Sequence, residues 1–110
     1  MGKNFLDLVP SYNVNYSWQL NAKGRVEIKI RHQGFFAYLA TKFFHRPAFT
    51  LLELEEKGSF VWQQINGQRS VYEIGRLLQL RYPLEQQSLY SKLCIYIKSL
   101  KQMELVSYRE

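Results

Sequence analysis

The chain has 110 residues, 46% of them apolar and 15% aromatic, which fits one folded domain with a modest core and excludes a disordered chain. Its formal charge of +6 calls for either a solvated basic face or an anionic partner such as an acidic peptide, a nucleic acid or an anionic lipid surface. No apolar run approaches the roughly 18 residues of a membrane span, and the N-terminus lacks a secretory pattern, so the cytoplasm is the expected compartment.

Residues 1–11 read as a loosely ordered lead-in closed by Pro10, and residues 12–110 as a single domain. Tyr16 to Leu20 alternates as a strand should. Asn21-Ala22-Lys23-Gly24 is a turn. Val26, Ile28 and Ile30 then point one way while Arg25, Glu27, Lys29 and Arg31 point the other, so the two strands form an antiparallel hairpin with one wet, mostly basic face. Six basic residues lie between Lys23 and Arg46 against Glu27 alone.

Gly34 to Arg46 reads as an amphipathic helix, with Phe35, Phe36, Leu39, Ala40, Phe43 and Phe44 on its apolar side. Pro47 breaks it, and Ala48 to Leu54 reads as a third strand with Leu52 and Leu54 inward and Phe49 and Leu51 on the opposite face. Leu54 leads into a helix that buries Phe60, Val61 and Ile65, with Trp62 on its flank, and that stops at Asn66-Gly67. Ser70-Val71-Tyr72-Glu73 is a capping box opening a second helix with Ile74, Leu77 and Leu78 inside, which Pro83 ends at Tyr82. A last helix runs from about Glu85 to Met103 on a stripe of Leu89, Leu93, Tyr96, Ile97, Leu100 and Met103, and residues 104–110 leave a short tail.

Catalytic and metal chemistry find little here. There is no nucleophile-base pair at telling spacing and no glycine-rich phosphate loop, and Glu55 and Glu56 at a helix start complement the helix dipole. Cys94 is the sole cysteine, and His32 and His45 are far apart with no third ligand. No enzyme activity, cofactor or metal is expected.

Leu54, Gly58-Ser59-Phe60-Val61-Trp62, Ile65 to Val71, Glu73-Ile74 and Tyr82 together resemble the proteins related to pyrroloquinoline quinone synthesis protein D, also called RiPP recognition elements. The resemblance covers about the last half of the chain, and the first half only in its hairpin pattern. It implies an α+β fold: a small three-stranded antiparallel sheet packed on a three-helix, winged-helix-like bundle, here with an extra amphipathic helix between the second and third strands. It also implies a non-catalytic module that binds the leader segment of a ribosomally made precursor peptide by strand addition and presents it to a modifying enzyme, often a radical S-adenosylmethionine protein. In that family the leader lies between the third strand and the last helix. Carried onto this chain, the strand side is Phe49, Thr50, Leu51, Leu52, Glu53 and Leu54. Periodicity puts Tyr90, Cys94, Ile97, Lys98 and Lys101 on the helix side, where lysines beside an apolar row suit acidic and aliphatic leaders.

Two other classes stay open. A winged-helix nucleic-acid binder would use Gln86, Gln87, Ser91 and Lys92 at the start of the last helix. A membrane-surface or homo-oligomeric adaptor would use the Phe35 to Phe44 helix.

Overall fold

Asn21 both ends one strand and shapes the turn into the next. Its Oδ1 accepts the N–H groups of Lys23 at 2.9 Å and Arg25 at 3.0 Å, its carbonyl takes the Gly24 N–H at 2.9 Å, and its own N–H reaches the Arg25 carbonyl at 2.8 Å. Gly24 sits at φ +77°, a left-handed conformation that costs glycine nothing. The side chain thus does locally what a backbone turn bond would do, which is why asparagine opens such turns.

The computed structural model describes residues 4–31, 42, 49–85 and 87–109. The chain divides into two compact units, Val14–Glu56 and the combination of Met1–Asn13 with Lys57–Glu110. The first is built on an antiparallel sheet of β2 (Ser17–Leu20), β3 (Val26–Arg31) and β4 (Phe49–Glu53), in that order. Ser17 pairs with Lys29, Ile28 with Leu52 and Ile30 with Thr50. Val26 and Ile28 are fully buried and Leu54 is buried, Leu52 and Ile30 are half-buried, and Leu51 is exposed. The alternation read from the sequence, with Leu52 and Leu54 inward and Leu51 outward, therefore holds. The amphipathic segment at 34–46 lies outside the described residues except for Lys42, which is helical and exposed.

The second unit carries three helices, α1 (Glu56–Gln64), α2 (Val71–Arg81) and α3 (Leu89–Gln102). Three buried stripes form its core: Val61, Trp62 and Ile65 from α1 and its end, Val71, Ile74 and Leu78 from α2, and Leu89, Leu93, Ile97 and Leu100 from α3. Trp62, expected on a flank, is among the most deeply buried side chains, while Phe60 is half-buried and packs edge-on against Tyr82 at 6.2 Å. The Asn66 Oδ1 caps the N–H groups of Gln68 and Arg69 at 2.9 Å each after α1. The Ser70–Glu73 capping box is present in both directions, at 2.8 and 3.1 Å.

The sequence reading departs from the structure at both ends of this unit. Residues 5–7 form a 3-10 turn and Val9–Tyr12 forms β1, where only a lead-in was expected. Val106–Arg109, expected as a short tail, forms β5, and the two strands pair antiparallel as a second, two-stranded sheet. The other edge of β1 is bound by the α1–α2 connection, with the Gly67 N–H on the Pro10 carbonyl at 3.1 Å and the Val71 N–H on the Leu8 carbonyl at 2.9 Å. Proline at position 10 fits because that residue has no N–H to place. The third helix starts at Leu89 rather than near Glu85, since Ser88 at φ +59° is left-handed, and Met103 is exposed rather than on the inner stripe.

Candidate functional site

The two sides of the implied site fall in different units, and each is built from its own neighbours. On the strand side, the Leu54 N–H donates to the Val26 carbonyl at 2.8 Å, and the register continues as Ile28 with Leu52 and Ile30 with Thr50. In an antiparallel ladder, hydrogen-bonded pairs alternate with pairs whose backbone groups point away from each other. The N–H and C=O groups of Phe49, Leu51 and Glu53 therefore point to the outer edge of β4, and among the described residues no strand pairs with that edge. Leu51, 51% exposed, gives the edge an apolar side chain of the kind that native edges are usually protected against.

One end of this edge is charged. Glu27 and Glu53 are directly opposite on β3 and β4 in a non-hydrogen-bonded pair, the closer of the two kinds, and like charges so placed repel. The Asn21 Nδ2 donates to Glu27 at 3.3 Å and also to Glu53, and the Arg25 guanidinium lies 3.7 Å from Glu53. The Arg25 guanidinium and the Asn21 carboxamide thus both approach these carboxylates, on a sheet face that also carries Lys29.

On the helix side, Ile97 is fully buried in the core and holds the helix rather than facing outward. Tyr90 is turned onto α2: its ring stacks on Tyr72 at 5.9 Å and 13°, and its hydroxyl donates to the Tyr72 carbonyl at 3.2 Å. Burial, then the nearby Tyr72, raise the Tyr90 hydroxyl above the ordinary tyrosine pKa, with Arg76 acting the other way. Cys94 is a half-buried free thiol. The Lys98 Nζ lies 4.9 Å from the Phe5 ring centroid and the Lys101 Nζ 5.9 Å from that of Tyr108, and Phe5 meets Tyr108 edge to face at 5.5 Å. Burial, then the neighbouring Cys94, raise the Tyr108 pKa.

The structure thus brings Cys94, Lys98 and Lys101 together, around the chain's own Phe5 and Tyr108. Sequence reading had no means of naming Phe5 and Tyr108, because neither β1 nor β5 carries an alternation long enough to register. Gln86 lies outside the described residues, Gln87 and Ser88 precede α3, and Ser91 and Lys92 are exposed on its first turn. Among the described residues no group of His, Cys, Asp and Glu side chains is placed to hold a metal, and no helix is long and apolar enough to cross a membrane.

An antiparallel sheet whose last strand runs straight into three helices makes this a small α+β protein, and among the described residues no strand pairs with the outer edge of β4. The sequence model of the coenzyme PQQ synthesis protein D family matches residues 49–106, from the start of β4 to the first residue of β5, and the chain belongs to that family. No curated protein and no solved structure matches the chain.

Proposed function

We propose that this protein is a non-catalytic recognition module that takes up the leader segment of a ribosomally synthesised precursor peptide as an added strand on β4 and offers it to a modifying enzyme, a class that includes radical S-adenosylmethionine proteins. The observation that carries the proposal is the row of outward N–H and C=O groups at Phe49, Leu51 and Glu53. Such a row binds an extended chain through main-chain bonds, which give affinity for any sequence, while neighbouring side chains give selectivity. Membership in a family named for cofactor synthesis supports a precursor peptide and a biosynthetic enzyme as partners.

The test uses synthetic leader peptides titrated against the protein by fluorescence anisotropy, with amide hydrogen exchange as the map. Saturable binding that protects β4 amides is the expected result. Leu51→Pro removes an N–H that points away from β3, a position where an edge strand tolerates proline, and it abolishes binding while Leu51→Ala only weakens it. Binding unchanged in Leu51→Pro, or exchange protection confined to the helices, would reject strand addition.

A further inference from the structure

We infer that the outer face of α3 is the surface on which this protein docks its modifying enzyme, and that it fits an acidic patch built around an apolar residue. The inference rests on the reading that the module hands its peptide to an enzyme, and deepens it by naming where that enzyme sits. From Gln86 to Met103 the chain has no acidic residue, yet it has Lys92, Lys98 and Lys101. Surface helices often answer such lysines with glutamates one turn away, and α3 carries none. Leu89, Leu93, Ile97 and Leu100 are buried on the inner side, so Ser91, Ile95, Lys98 and Gln102 share the opposite face, flanked by Lys92 and Lys101. All six are exposed, and Ile95, near the centre, is 68% exposed.

The neighbouring elements leave this charge in place. The Lys98 and Lys101 ammonium groups lie over the Phe5 and Tyr108 rings at 4.9 and 5.9 Å, contacts that hold the lysines without cancelling their charge. Of the carboxylates on or beside those elements, Glu85 pairs with Lys57, Glu73 closes the capping box, and Glu56 at the start of α1 has a contact of its own. Asp7 and Glu104 remain, against Arg76 and Arg81 on α2 and Arg109 on β5. Among the described residues none of the three lysines forms an ion pair. An extended leader gains no main-chain bonds here, because a helix bonds its own N–H and C=O groups internally and strand addition needs a free edge. A phosphate backbone would use the lysines alone. A folded protein surface with carboxylates around an apolar residue uses both features: it covers the isoleucine, and its charges meet lysines already held in place. From Ser91 to Gln102 the face is about 16 Å long, which gives a small contact of the transient kind. A carrier that releases after delivery needs such a contact.

The test places the photocrosslinker p-benzoylphenylalanine at Ile95 of the full chain and irradiates cells of the native host, and mass spectrometry reads the joined segment. The expected product joins the chain to an enzyme, through a segment with carboxylates clustered around an apolar side chain. A crosslink to the precursor peptide, to nucleic acid, to lipid or to a second copy overturns the inference, and so does the absence of any. Against the purified crosslinked enzyme, Lys92→Glu is expected to weaken binding roughly 3- to 10-fold and Ile95→Asp about 10-fold or more, with affinity falling as salt rises. Both positions are exposed, so thermal midpoints should hold, and leader binding at β4 should be unchanged in both variants. Enzyme binding at the parent affinity in both variants rejects the face, and loss of leader binding in either gives α3 to the peptide and overturns it too. Leader titration of the parent chain keeps the two readings apart: no leader binding there sinks strand addition, while the crosslink and the variants still decide the docking face.

Discussion

Glu27 and Glu53 stand directly opposite each other on neighbouring strands, and the Asn21 carboxamide donates to both. Two carboxylates in a close cross-strand pair would normally push a hairpin and its third strand apart. Asn21 holds them together while its Oδ1 closes the β2–β3 turn through Lys23 and Arg25.

Asn21→Ala removes both donors and the turn acceptor, so it should destabilise the β2–β3–β4 sheet by about 1–3 kcal/mol, a few exposed hydrogen bonds at roughly 0.5–1.5 kcal/mol each with partial replacement by water. Denaturant unfolding followed by tryptophan fluorescence reads the loss, since Trp18 lies on β2. Raising the salt concentration should recover part of it by screening the two carboxylates. A variant as stable as the parent would show that the bridging geometry contributes nothing.

Tyr12 offers a pH-dependent reading of the other unit. Its hydroxyl donates to the Trp62 carbonyl, its ring packs on the indole at 4.7 Å, and burial pushes its pKa up to about 12. Folding thus favours the protonated phenol. The stability this contributes is fully present below the unfolded value near 10 and is lost as pH rises from there through about 12. Ultraviolet titration should show a tyrosine step at about pH 12, besides the raised Tyr90 and Tyr108, and Tyr12→Phe should remove it. The same substitution leaves the Trp62 carbonyl without this donor and should lower stability by about 1 kcal/mol.

Glu104 occupies a left-handed position at φ +62°, just past α3. The Leu105 N–H returns to the Leu100 carbonyl at 3.0 Å and the Glu104 N–H to that of Lys101 at 2.9 Å, the bond pattern of a Schellman stop in which glycine is the usual left-handed residue. Glu104→Gly should therefore stabilise the protein by about 0.5–1 kcal/mol, the relief of Cβ strain less the added freedom of the unfolded chain. Thermal unfolding checks the sign: a lower midpoint would mean that the glutamate side chain contributes more than its backbone costs.

This stop also explains what was hard to see in the sequence. The hairpin, the inward Leu52 and Leu54, the Asn66-Gly67 stop and the Ser70 capping box were legible, because each rests on a local rule: alternation, a left-handed glycine or a reciprocal cap. The end of α3 was not, because glutamate stands where glycine would have announced it, and the segment beyond was read as a tail. Pairing of β1 with β5 joins Val9 to Arg109 across nearly the whole chain, a contact that no short window contains. The candidate site divides in the same way. Leu51 and Glu53 were among the six residues, Phe49 to Leu54, that the family resemblance put on the strand side, and only the register with β3 separates their outward backbone groups from those of their neighbours. The surroundings of Cys94, Lys98 and Lys101 depend on Phe5 and Tyr108, which only the distant pairing brings near.

Gly75 gives a prediction whose sign depends on a second residue. A Cβ at this position would overlap the Tyr90 ring, so the ring lies directly on the α2 backbone, stacked on Tyr72. Alanine is favoured over glycine in a helix by about 1 kcal/mol, but here that gain is opposed by the displacement of a ring tied at its hydroxyl to the Tyr72 carbonyl. Overpacking of this kind costs about 1–3 kcal/mol. Gly75→Ala alone should therefore destabilise by about 1 kcal/mol, and the same change in a Tyr90→Ala background should stabilise by about 0.5–1 kcal/mol, the propensity gain without the clash. A double-mutant cycle measured by denaturant unfolding isolates the coupling. A coupling near zero would mean that Tyr90 swings off α2 at no cost, and that its stacking on Tyr72 contributes little to the fold.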